Sequence, residues 1–97
     1  MNLREDIKQE IIALAKKYNL DKVILFGSRA RGDNRERSDI DLAIAGKRAD
    51  CIEFSLAADE DIPTLLMFDF VIIDEHLSPE LNAAIERDGV ILYENIY

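Results

Sequence analysis

Two apolar runs, Lys22-Val-Ile-Leu-Phe26 and Ile40 to Ala45, flank a segment too rich in charge to lie in a core. That segment, GSRARGDNRERSD, carries Arg29, Arg31, Arg35 and Arg37 together with the carboxylates of Asp33, Glu36 and Asp39. Any fold that buries both runs must let this link out at the rim of the core. The charges are then either a solvated turn or a site. The second run favours a site. Read as a strand over Ser38–Ala45, its period of two sets Ile40, Leu42 and Ile44 on one face and Asp39, Asp41 and Ala43 on the other.

The flanking sequence supplies the remaining elements. From Leu3 to Tyr18, the residues Ile7, Ile11, Leu14, Ala15 and Tyr18 recur at helical spacing, with Glu5 and Asp6 near the start and Lys16 and Lys17 near the end. Lys22–Phe26 is short, apolar and partly β-branched, which predicts a buried strand. Ser28 is expected to N-cap a short helix through Arg31, closed by Gly32. Lys47 to about Ala58 predicts a helix of poor periodicity, ended by Asp59-Glu60-Asp61-Ile62-Pro63. Leu65–Ile73 predicts a third strand, apolar on both sides except at Asp69. Ser78-Pro79 opens a last helix that stops at Gly89, and Val90–Tyr93 predicts a closing strand. The order α-β-α-β-α-β-α-β implies one α/β (α+β) two-layer domain over residues 1–97, short helices on a small sheet whose strand order stays open.

Composition narrows the function. A formal charge of −8 argues against non-specific binding to nucleic acid or an anionic membrane, which would need a basic face. The four arginines nevertheless leave room for a local anion site. A lone cysteine, Cys51, rules out an intrachain disulfide and suits a reducing compartment. The charged start MNLREDIKQE does not read as a signal peptide, and no apolar run approaches the roughly 20 residues of a membrane span. The expected location is cytoplasmic.

Asp39 and Asp41 on one strand face repel each other unless a cation lies near, and a hard divalent ion such as magnesium prefers carboxylate oxygens with substrate phosphates. Asp69, isolated in MFDFVII, would be costly if buried unpaired, so it should face a cation or a cleft, and on a neighbouring strand it would complete a three-carboxylate site. Three carboxylates can hold two metal ions. Gly27 lets a phosphate approach the backbone, Ser28 adds amide and hydroxyl donors, and Arg29 or Arg31 can neutralise phosphate charge. Ser38 either orients Asp39 or ends the loop. The blander alternatives are a structural Asp69, a Ser28 that only caps, and ordinary surface arginines. Asp74 lies on the opposite strand parity from Asp69, lone His76 reads as an exposed loop residue, and Cys51 reads as helix core.

Gly27-Ser28, ten residues, then Asp39-Ile40-Asp41 resembles the GS…DxD signature of the polymerase-β-like nucleotidyltransferases. The fuller GSRARGD…SDIDLAI, with FDFVIID and ELNAAIERDGVILYE, is similar to the minimal nucleotidyltransferase branch. That resemblance implies a small mixed-sheet nucleotidyltransferase core. It also implies magnesium on Asp39, Asp41 and Asp69, two ions by the carboxylate count, and a triphosphate at Gly27 and Ser28, beside which Arg29, Arg31 and Ser38 are the further nucleotide-binding candidates read from the charges. The donor it implies is ATP, and the implied partner is a HEPN-type toxin encoded nearby, silenced by adenylylation of a tyrosine, in a homo- or hetero-oligomer. Two alternatives stay open: an antitoxin that masks its partner without catalysis, and transfer to a small molecule.

Overall fold

The computed structural model describes residues 1–96; Tyr97, a candidate partner contact in the sequence, lies outside them. The elements are α1 (Glu5–Lys17), β1 (Lys22–Phe26), α2 (Ser28–Arg31), β2 (Ile40–Ala45), α3 (Arg48–Asp61), β3 (Phe68–Ile72), α4 (Pro79–Asp88) and β4 (Val90–Glu94). The sheet order is β3-β2-β1-β4. β1 pairs antiparallel with β2 and with β4, whereas β2 and β3 run parallel, joined by the α3 crossover. The fold is therefore α+β with a mixed sheet.

The alternation seen in the sequence sorts the two faces. Val23, Leu25, Ile40, Leu42 and Ile44 turn toward Ile7, Ile11 and Leu14 of α1 and Cys51 and Phe54 of α3, forming the main core. Phe70 meets Phe54 edge-on at 6.0 Å and stacks on Phe68 at 5.6 Å, which fixes α3 over β3. On the opposite face Phe26 and Ala43 pack with Ile85 of α4. The second face is thus apolar under α4 and acidic where β2 begins.

Several boundaries differ from expectation for local reasons. The N-cap of α2 is Gly27, at a φ of +74°, and Ser28 is the first helical residue without a capping bond. Helix α3 runs through the acidic triplet to Asp61. Its true stop is Pro63, which disfavours helical geometry at Ile62, and Ile62 is extended. β3 begins only at Phe68, since the chain bends at Leu65 and Leu66. Ser78 caps α4 as expected, its Oγ accepting the Leu81 amide at 3.2 Å. Among the described residues, no helix is long and apolar enough to cross a membrane.

Candidate active site

The register of the sheet brings the site together. Asp41 lies opposite Phe26 on β1 and directly beside Asp69 on β3. Paired residues of neighbouring strands share a face. β2 begins at Ile40 rather than at Ser38 as expected, so Asp39 lies just before the strand, near enough for its charge to act on Asp41. The Ile40 amide donates to the Met67 carbonyl at 2.9 Å, so the pairing holds up to the edge of the acidic group. Asp39 and Asp69 are exposed and Asp41 is half-buried.

Asp41 carries the electrostatic signature of this arrangement. Its pKa is raised, first by burial and then by repulsion from Asp69 and Asp39, while Arg31 pulls it the other way. Gly27 makes room for this carboxylate, because a Cβ there would collide with Asp41 Oδ2. The opening amides of a helix have no intrahelical acceptor, so Ser28 and its successors bring N–H donors to the same end of β1. Among the described residues, no three His, Cys, Asp or Glu side chains are drawn into a metal-binding cluster. Asp41 and Asp69 are neighbours on one face, with Asp39 at its edge, not a closed cage. Their hard oxygen donors and uncompensated charge fit a divalent cation of the magnesium type.

The candidate arginines divide. Arg29 is only 6% exposed, and its guanidinium donates to the carbonyls of Ser38 at 3.0 Å, Glu36 at 3.1 Å and Asn2 at 3.2 Å. The expectation that Arg29 binds the nucleotide is therefore corrected: this side chain anchors the charged loop. Arg31 stays available. Its Nε donates to Asp33 Oδ2 at 3.0 Å, and its Nη1 lies 3.5 Å from Asp88 Oδ2. The Ser38 hydroxyl accepts the Arg35 amide at 2.9 Å and closes the loop just before Asp39, with its own hydrogen still free to donate. Asp88 escaped the sequence reading, since nothing in ERDG points to an arginine on a distant helix.

Residues 9–96 match the family described as Polymerase beta, Nucleotidyltransferase. The chain belongs to that family. Over 104 aligned residues it is 36% identical to a protein of Methanocaldococcus jannaschii that carries the provisional name protein adenylyltransferase, with 96% of this chain and 100% of that one covered. A chain of a toxin–antitoxin complex solved with AMP-PNP is 25% identical, with a TM-score of 0.68 over 91% of this chain and 73% of that chain. A chain of the complex between a tri-AMPylated Shewanella oneidensis HEPN toxin and its MNT antitoxin aligns with a TM-score of 0.61, over 92% of this chain and 71% of that one. At 23% identity, that last likeness speaks for the fold.

Two glycines of this nucleotidyltransferase give a paired test. Gly27→Ala is expected to cost about 1–3 kcal/mol of stability for the strained φ and about 10²-fold in transfer for the displaced Asp41. Gly32 has a φ of +84° but nothing within 4 Å of an added Cβ. Gly32→Ala should cost about 1 kcal/mol and leave transfer within about twofold. Thermal melts and initial rates on both variants separate strain from collision.

Proposed function

We propose that this nucleotidyltransferase is a cytoplasmic protein adenylyltransferase, moving AMP from ATP to a tyrosine hydroxyl of a HEPN-type toxin and so acting as its antitoxin. The observation that carries the reading is the parallel register that sets Asp69 beside Asp41, with Asp39 just before β2 acting on Asp41 by its charge and Gly27-Ser28 at the next strand end. The provisional name of the archaeal relative, the AMP-PNP in one toxin–antitoxin complex and the AMPylated toxin in another support it.

In this reading Gly27 and Ser28 seat the triphosphate, and Arg31 offsets part of its charge. Two magnesium ions on Asp39, Asp41 and Asp69 would supply charge neutralisation at the phosphates and a lowered pKa for the attacking hydroxyl. The acceptor oxygen forms a bond to the α-phosphorus, while the bond to the bridging oxygen of the β-phosphate breaks and pyrophosphate leaves. The hydroxyl proton passes to a carboxylate of this face, for which exposed Asp69 is the candidate, or to water.

The test mixes the purified chain with the protein encoded beside it, magnesium and each nucleoside triphosphate in turn, and reads both proteins by intact mass spectrometry. A mass gain of one or more AMP units on the partner, with ATP alone, is expected. A stable complex without any gain would replace catalysis by masking, and a nucleotide found instead on an added small hydroxyl compound would reassign the acceptor.

A further inference from the structure

Arg31 hangs from the end of α2, one turn after the Gly27-Ser28 corner, and it is held from two sides. Asp33 takes its Nε at 3.0 Å, and Asp88, the last residue of α4, stands 3.5 Å from Nη1. Of the five N–H donors of a guanidinium, those two contacts leave three unused. The Arg31 side chain is 43% exposed, whereas that of Asp88 is only 15% exposed. Arg87 also binds the Asp88 carboxylate, at 3.0 Å, and this bond, more than any other influence, holds the Asp88 pKa below the usual carboxylate range. The carboxylate therefore stays ionised and does not depend on Arg31 for its own satisfaction.

The position of Asp88 is fixed from below. Gly89 follows it, and a Cβ at Gly89 would collide with the Ile85 carbonyl and with Ile24 Cγ2 on β1. The end of α4 is thus pressed directly onto the strand that leads into Gly27. Partly exposed ion pairs of this kind contribute little to stability, because screening and side-chain entropy offset the attraction. What the arrangement does achieve is a long, flexible arginine held in one orientation within electrostatic reach of Asp41.

We propose that Asp88 is a positioning residue which, together with Asp33, aims the free edge of Arg31 at the phosphate oxygens of the nucleoside triphosphate. The inference rests on the nucleotidyl-transfer reading given above and extends it to α4. Helix α4 then has a part in substrate binding without touching the substrate.

Steady-state kinetics of Asp88→Asn, Asp88→Glu, Arg31→Ala and the Asp88→Asn/Arg31→Ala double variant, with ATP and acceptor varied separately, test it. Asp88→Asn is expected to raise KM for ATP about tenfold, the size of one well-aimed charge-assisted contact, with kcat and the acceptor KM within about twofold. Its Tm should stay within about 2 °C of wild type. Asp88→Glu should recover most of the loss, and the double variant should be no worse than Arg31→Ala alone. An unchanged KM for ATP in Asp88→Asn, a loss that adds to that of Arg31→Ala, or a fall in kcat that tracks a fall in Tm would each overturn the proposal. If wild type transfers nothing, the reading of the reaction fails, and calorimetric binding of AMP-PNP decides about Asp88 separately. Weaker binding by Asp88→Asn would then support the positioning role, and equal binding would overturn it.

Discussion

Replacing Asp39 and Asp41 together by asparagine is expected to reduce transfer by at least about 10³-fold, equivalent to about 4 kcal/mol of transition-state stabilisation. Asparagine keeps the shape and leaves β2 intact, so the loss should come without unfolding. The metal-free protein should in fact become more stable. Asp41 ionises against burial and against the charges of Asp69 and Asp39, so its charge works against the fold at neutral pH. Much of that penalty is screened at a half-exposed group, and a rise in Tm of roughly 2 °C at pH 7 in the presence of a chelator is the expected size. Activity and Tm measured on the same preparation give the decisive pair. A double variant that transfers nucleotide at the wild-type rate would remove the metal role from both aspartates. A Tm that falls steeply would make them structural.

Arg29→Ala should behave in the opposite way, with its primary effect on stability. The side chain fills a buried position and donates to three carbonyls from Asn2, Glu36 and Ser38, which tie the N-terminal segment and the charged loop to α2. Truncation leaves those carbonyls short of donors and opens a cavity. A loss of about 2–4 kcal/mol is expected, or roughly 10–25 °C in Tm for a domain of this size. Lysine should not rescue it, because a single ammonium lacks the planar fork that reaches three acceptors. Transfer should fall as well, through Asp39, which follows the loosened loop. Denaturant melts and amide exchange over residues 33–38 provide the check. An Arg29→Ala variant with wild-type Tm and a raised KM for ATP would return Arg29 to the nucleotide.

The contrast between Arg29 and Arg31 marks the limit of what the sequence reveals. In GSRARGD the two are equivalent, two residues apart beside the same glycine. Only the return of the loop over α2 buries one and leaves the other half-exposed. Asp41 stood out as a candidate because strand periodicity is local, and Asp69 because a single charge in an apolar strand is conspicuous, whereas the strand expected to start at Ser38 begins only at Ile40 and leaves Asp39 just before it. That Asp69 pairs with Asp41, and not with a residue one place along, depends on how α3 returns the chain, which no local pattern records. The element order was likewise readable, whereas the strand order β3-β2-β1-β4 was not. Ser28 misled for a simple reason: serine is a good N-cap in general, but here the glycine with positive φ takes that position. Asp88 was invisible, since its role exists only where the end of α4 meets the end of α2.

The parallel pairing of β2 with β3 has a practical corollary. A slip of one residue would exchange the two faces of β3, sending Asp69 into the aromatic layer with Phe54 and removing Phe70 from it. Half-folded or misaligned chains therefore have no graded, partial version of the site. Specific activity in any preparation then counts correctly assembled molecules, and a refolding time course followed by turnover should coincide with one followed by burial of the Phe54–Phe70 pair.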